Sequence, residues 1–310
     1  MDYICTYFYQ EKAGFKSAYG NITADNEEKN RVYWKTVYVM FRSALKSNPN
    51  CKLILFTNID DFIYRNEIEG LGVDIISDLE ITRINEGKWA SVKFVFDVIE
   101  RIEFGIDFND EDKFLLLDTD CIIQGSLGTL FKELDGEIVA YKQPGVFEPS
   151  YKLHGIPFSS LDSLYQKTYG YPIKSRERIG GEFYAFKKKA ISGYSKKISK
   201  LIDIDSPITT EEQVWSMHHA DIGYYVNHKY IYRVWSSIRY QDIPQDFKDY
   251  SILHLPSEKE SGISGIFEEL INKETFDLSE VIDKHLTLEN KKKLLLRKIY
   301  FLIRKKIGLI

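Results

Sequence analysis

The first 118 residues alternate short apolar runs with longer segments in which apolar residues recur every three or four positions. The runs at 2–9, 51–57, 73–77 and 113–118 are rich in β-branched and aromatic residues and have the length of strands. Between them, 27–47 carries Val32, Trp34, Val37, Met40, Phe41 and Leu45 at helical spacing. Residues 59–68 predict a short helix, and 89–102 predict a helix with Val92, Val95, Phe96 and Ile99 on its apolar face. This rhythm predicts a largely parallel sheet with helices on both faces. Residues 10–26 read as a polar loop of the kind that covers a ligand.

The second half is less regular. A strand is expected at 137–141, a loop-rich stretch at 143–171, and a tight turn at Gly180–Gly181–Glu182 leading into a strand that ends near Phe186. Residues 187–202 read as helical. A further helix begins at Glu211, after Pro207 and the capping candidates Thr209 and Thr210, and runs to at least His218. Residues 224–235 suggest a hairpin, and 251–255 an apolar segment ending near His254. No internal repeat or low-complexity stretch is present.

One run combines this patterning with chemistry. Phe114–Leu115–Leu116–Leu117 is an apolar strand that meets Asp118–Thr119–Asp120. Alternation along a strand points both carboxylates to one side. Two carboxylates that close at an apolar strand's mouth need a cation or hydrogen-bond donors to neutralise them, and a hard divalent ion suits them. Asp-x-Asp also occurs at Asp110/Asp112, in an acidic loop, and at Asp203/Asp205, before Ser206–Pro207. Only the middle copy lies between two apolar stretches. It also sits at the carboxyl end of a strand, where such sheets bind ligands.

Length and an apolar content of 44% allow one large α/β domain or two small ones. Cys5, Cys51 and Cys121 are expected as reduced core thiols and are not spaced for zinc. The chain opens directly as a strand, so no signal peptide is expected, and no apolar run is long enough to span a bilayer. Charge is unevenly placed. Residues 291–310 hold eight basic residues and no acid, so the rest carries −12 against the whole chain's −4. A body that acidic argues against nucleic acid as a partner. In the tail, Leu295, Ile299, Leu302, Ile303 and Ile307 share one helical face, opposite Lys293, Arg297, Lys298, Arg304 and Lys305, with Lys292 and Lys306 intruding on the apolar side. This predicts an interfacial helix on an anionic membrane, each basic residue adding about 1 kcal/mol.

Taken together, the chain resembles the GT-A-fold glycosyltransferases, closest to the retaining group of glycogenin and the bacterial lipopolysaccharide galactosyltransferases. The run Phe114 to Ile123, with Gly125–Ser126–Leu127 and Leu130–Phe131 after it, is similar to that family's metal motif. The resemblance covers 1–265, leaving 266–310 as a C-terminal helical region. It implies an α/β, Rossmann-like, mostly parallel sheet flanked by helices, and a Mn²⁺ or Mg²⁺ ion held by Asp118, Asp120 and His254. Asp118 and Thr119 would meet a nucleotide-sugar donor, Lys259 its phosphates, and Thr6, Tyr7 and Tyr9 its base. Lys93 is similar to a donor-contacting basic residue. The family pattern after the histidine departs here to Pro256–Ser257–Glu258–Lys259, which shifts the lysine. Gly180 and Gly181 resemble a small-residue turn beside the donor sugar, where Glu182 departs from the family's small residue and would contact the sugar or the acceptor. Glu211–Glu212–Gln213 resembles an acid–Gln signature, with either glutamate able to face the sugar.

The expected activity is hexosyl transfer from a nucleotide-diphosphate sugar, UDP-linked by resemblance, with retention. With the basic tail, it suggests a polyprenyl-linked or other glycan acceptor at the cytoplasmic membrane face, in bacterial surface-glycan synthesis. A sugar nucleotidyltransferase would show a glycine-rich basic loop after the first strand, and 10–16 holds one glycine. A non-catalytic sugar- or membrane-binding scaffold would bind without turnover.

Overall fold

The computed structural model describes residues 1–11, 26–84, 90–134, 138–202, 206–222 and 230–286, apart from positions 235, 237, 245, 247 and 248. The expected loop at 10–26 and the tail 291–310 therefore lie largely or wholly outside the described residues.

The strands β1 (Asp2–Phe8), β2 (Lys52–Thr57), β3 (Val73–Ile76) and β4 (Lys113–Leu117) form the parallel part of a six-stranded sheet, joined at one edge by β6 (Val139–Gln143) and β9 (Arg178–Lys187). Its order is β3-β2-β1-β4-β9-β6, and β9 runs antiparallel to both neighbours. The central strands β1, β2 and β4 are largely apolar because both faces are covered. Ile4, Leu53, Leu55, Leu115 and Leu117 face one core, with α1 (Asn26–Ser47). Cys5, Ile54, Phe56, Phe114 and Leu116 face the other, with α3 (Phe94–Phe104).

A second, three-stranded sheet, β10 (Ile231–Arg233), β11 (Ile252–His254) and β5 (Cys121–Ile123), sets the site. β11 pairs antiparallel with β5, placing His254 opposite Cys121, and the amide of Leu255 donates to the carbonyl of Asp120 at 3.0 Å. Helices Ser264–Leu270 and Leu278–Leu286 bury Ile266, Phe267, Leu270, Val281 and Leu286 in the same core as α1.

Several elements differ from expectation. The strand before the aspartates ends at Leu117, and Asp118–Thr119–Asp120 forms the turn between the two sheets, closed by the Cys121 amide on the Asp118 carbonyl at 3.3 Å. The glycines Gly180 and Gly181 lie inside β9 without positive φ, not in a turn. The loop-rich stretch contains the hairpin β7 (Lys152–Leu153) and β8 (Ile156–Pro157), then α5 (Phe158–Tyr169), whose Phe158, Leu161 and Tyr165 are buried at helical spacing. In place of one helix over 187–202, β9 continues through Lys187, followed by a 3-10 turn (Lys188–Ile191) and α6 (Tyr194–Ser199). The short helix α2 is confined to Arg65–Glu69, and α3 is preceded by a 3-10 turn at Ala90–Lys93. The described part of the expected 224–235 hairpin is β10, which pairs parallel with β11. All three cysteines are free, with Cys5 and Cys121 buried.

Candidate metal centre and active-site cavity

A cavity of about 370 Å³ opens at the carboxyl ends of β1 and β4, and its walls have two chemical poles. At the first, Asp118, Asp120 and His254 converge, with one ligand atom of each within 4.8 Å of the others. His254 Nε2 lies 3.3 Å from Asp120 Oδ1 and 3.7 Å from Asp118 Oδ2. Ligands set at right angles around an ion at about 2.1 Å stand about 3 Å apart, so two oxygens and one imidazole nitrogen fit a small divalent cation.

The electrostatics fit as well. Burial and the neighbouring Asp120 carboxylate push Asp118 up to about 7. Burial also opposes ionisation of Asp120, but Lys259 and His254 overcome it and hold that carboxyl well below the usual range. The same Asp120 charge pushes His254 up against its burial. Tyr7 adds a hydroxyl donated to Asp118 Oδ1 at 3.1 Å. Lys259 begins a π-helical segment, Lys259–Ile263, and puts Nζ 2.6 Å from Asp120 Oδ2 and 5.1 Å from the centre of the Tyr33 ring. Glu258, accepting the Tyr240 amide at 3.1 Å and lying 3.5 Å from Arg239, anchors the loop that carries it.

The second pole is built on α7 (Glu211–Ile222). Gln213 closes its first turn: Oε1 accepts the amides of Thr209 at 2.8 Å and Thr210 at 3.1 Å, while Nε2 donates to the Leu153 carbonyl at 2.9 Å. Both ends of the amide are engaged, and Gln213 is not among the cavity-lining residues. Glu212 and Glu211 line the cavity but differ in kind. Glu212 Oε2 accepts His154 Nε2 at 2.8 Å and Arg178 at 2.8 and 3.1 Å, and Oε1 accepts Arg233 Nη2 at 2.5 Å. Burial opposes its charge, yet Arg233, His154 and Arg178 hold the carboxyl well below its ordinary value. Among the described residues Glu211 has no such partners. Its Oε2 is buried without a hydrogen bond, and burial, with Glu212 and Asp118 nearby, pushes its carboxyl well up.

The glycines of β9 make room for these carboxyls. A Cβ on Gly181 would run into the Glu211 carboxyl, and one on Gly180 into that of Glu182. Glu182 is buried beside Arg233 Nε at 3.2 Å and does not line the cavity.

Tyr7, Tyr9 and Thr119 line the cavity, as Tyr33, Ser91 and Val92 do. Thr6 does not: its hydroxyl donates to the Leu117 carbonyl at 2.8 Å and ties β1 to β4. Lys93 is buried, not a surface lysine, and does not line the cavity. His154, Arg178, Arg233 and Tyr33 also line the cavity, and nothing in the sequence marked them. Tyr33 sits on a helix already recognised. The other three meet only at Glu212, across 58, 34 and 21 residues of chain, so no local spacing announces them.

No protein-family model matches the sequence, and no curated protein does. Solved structures do. The apo bifunctional glycosyltransferase WbbM superposes with a TM-score of 0.53 at 11% identity, over 92% of this chain and 51% of WbbM. The galactosyltransferase LgtC, in complex with donor and acceptor sugar analogs, superposes with 0.50 at 13% identity, over 90% of this chain and 98% of LgtC. For the apo glycosyltransferase GlyE of Streptococcus pneumoniae TIGR4 the values are 0.48 and 14%, over 91% of this chain and 62% of GlyE. The largely parallel sheet and its flanking helices match those structures, and this chain has the GT-A glycosyltransferase fold.

Proposed function

We propose that the protein is a metal-dependent glycosyltransferase that moves a sugar, a hexose by our reading, from a nucleotide-diphosphate donor to a glycan acceptor. One observation carries this reading: Asp118, Asp120, His254 and Lys259 face a carboxyl pole across a single cavity at the strand ends of a GT-A fold. LgtC, of similar fold, was solved with donor and acceptor sugar analogs.

Asp118, Asp120 and His254 would hold Mn²⁺ or Mg²⁺, and such an ion, when bound, neutralises charge building on a departing diphosphate. Lys259 contributes a second, fixed cation beside Asp120 for the phosphate oxygens. The C1–phosphate bond breaks with its electron pair leaving on the diphosphate. The acceptor oxygen bonds to C1 and gives up its proton to an oxygen of the departing diphosphate. Of the two glutamates, Glu212 is held in its ion pairs and orders the wall, while Glu211, whose carboxyl burial pushes up, is the one left to meet the sugar. Tyr7, Tyr9, Tyr33 and Ser91 offer aromatic and hydroxyl groups for the base, and retention is the expected stereochemistry.

The basic tail supports a tether at the cytoplasmic membrane face and a polyprenyl-linked acceptor in surface-glycan synthesis. No helix among the described residues is long and apolar enough to cross a membrane.

The test is hydrolysis of a panel of nucleotide sugars with Mn²⁺ and then with EDTA. Metal-dependent release of a nucleoside diphosphate from one donor is the expected result. Binding of a donor without turnover, with or without acceptor glycans, would move the assignment to a sugar-binding scaffold.

A further inference from the structure

The β7–β8 hairpin carries chemistry that the metal pole does not need. Its two-residue tip, His154–Gly155, has φ of 48° and 89°, the doubly left-handed backbone of a type I′ turn. Glycine and asparagine suit the first of these positions best, and histidine is among the few other residues found there, though uncommonly. The surroundings hold it in place. The Leu153 carbonyl is bonded by Gln213, Leu153 is fully buried, and the Tyr151 hydroxyl accepts from Arg178 at 3.1 Å.

The result is an imidazole, 28% exposed, at the cavity wall with Nε2 on Glu212 Oε2. A carboxylate only accepts, so Nε2 carries a proton there and the ring orientation is fixed. Thr210, which lines the same cavity, has a buried Oγ1 without a hydrogen-bond partner. A rigid imidazole, a buried hydroxyl and the Glu211 carboxyl therefore meet at the cavity's second pole. Such a set suits the hydroxyls of a neutral sugar, and sites built to bond hydroxyls discriminate strongly among them.

We propose that His154 is a specificity-determining residue that hydrogen-bonds a hydroxyl of the transferred sugar, reading its configuration together with Thr210. This rests on the glycosyltransferase reading above.

The test compares the parent with His154→Asn and His154→Gly, both compatible with the left-handed turn, on UDP-glucose, UDP-galactose and their N-acetyl forms. Binding of UDP with Mn²⁺ is measured in parallel, because it reports on the first pole. The parent is expected to prefer one epimer. Both variants are expected to lose that preference by about ten-fold or more and to keep UDP affinity within about two-fold. An unchanged preference, a parent with no preference, or UDP affinity falling in step with turnover overturns the role of His154 while leaving the transferase reading intact. A parent that neither binds UDP with Mn²⁺ nor hydrolyses any donor overturns the transferase reading, and the inference with it.

Discussion

Lys259 and Asp120 are joined by a 2.6 Å ion pair that uses the carboxylate's Oδ2 and leaves Oδ1 turned to His254. One carboxylate thus serves two partners on its two oxygens. The division places a fixed charge next to the metal ligands without occupying the space between them, and the buried Tyr33 ring beneath Lys259 keeps that charge from swinging away.

Replacing Lys259 by Met removes one member of a buried pair and leaves Asp120 without its ammonium. Loss of one partner in such a pair costs about 3–5 kcal/mol. The metal-free variant is expected to melt well below the parent, with saturating Mn²⁺ narrowing the gap. Its donor KM should rise at least about ten-fold, since the diphosphate loses a cation. Equal melting of the two metal-free proteins would show that the pair contributes nothing to the fold.

Asp118→Ala and Asp120→Ala are each expected to abolish metal-dependent turnover, a loss of at least about 10³-fold, while the protein still folds. Circular dichroism checks the fold and donor hydrolysis the activity. Full activity in either variant would remove the metal assignment.

The metal centre should respond to pH. Asp118 stands at about 7 in the folded protein, against about 3.9 in an unfolded chain. A carboxyl raised by folding contributes stability below its unfolded value and loses that contribution as pH rises through 7. His254, also raised, loses its contribution in the same direction. The metal-free protein therefore forfeits stability as pH increases from about 4 to 7, while the deprotonated ligands bind a cation better. The rise in melting temperature on adding Mn²⁺ should be larger at pH 8 than at pH 6. Calorimetry at pH 6 in buffers of different ionisation enthalpy should show proton release on metal binding. A metal effect that is the same at both pH values contradicts this account.

Gly181→Ala should fold, because the glycine's φ is not positive. The new methyl meets the Glu211 carboxyl, however, and crowding of this kind costs about 1–3 kcal/mol. Turnover should fall more than stability does, with Gly181→Ala losing donor hydrolysis at temperatures where it remains folded. Retained activity would separate Glu211 from the reaction.

Deleting residues 291–310 is expected to abolish co-sedimentation with anionic vesicles and to leave donor hydrolysis in solution unchanged. Unchanged vesicle binding would remove the tether.

Much of the parallel sheet was legible because its strands are buried on both faces, which writes them as unbroken apolar runs such as Phe114 to Leu117. The aspartate pair was legible for the same reason: a charged turn directly after such a run stands out. The helix α5 was hidden because Ser159, Ser160, Ser163 and Thr168 dilute a pattern whose buried positions are only Phe158, Leu161 and Tyr165. Gly180 and Gly181 suggested a turn because glycine's usual reason is backbone freedom. Their reason here is the space that Glu182 and Glu211 occupy.

The sequence alone therefore determined the alternation of strands and helices in the first half, the acidic turn of Asp118 and Asp120 after a buried strand, and the start of α7 after Thr210. Those features are set by neighbours within a few residues. Tertiary structure decided the rest. It chose Glu212 as the ion-paired carboxylate and Glu211 as the unpaired one, because Arg178, Arg233 and His154 approach only one of two adjacent side chains. It turned Gln213 into a cap, withdrew Thr6 and Lys93 from the cavity, and brought His254 to Asp120 through the β11–β5 ladder. Each outcome depends on contacts between segments far apart in the chain, and a linear pattern holds no record of which distant groups will meet.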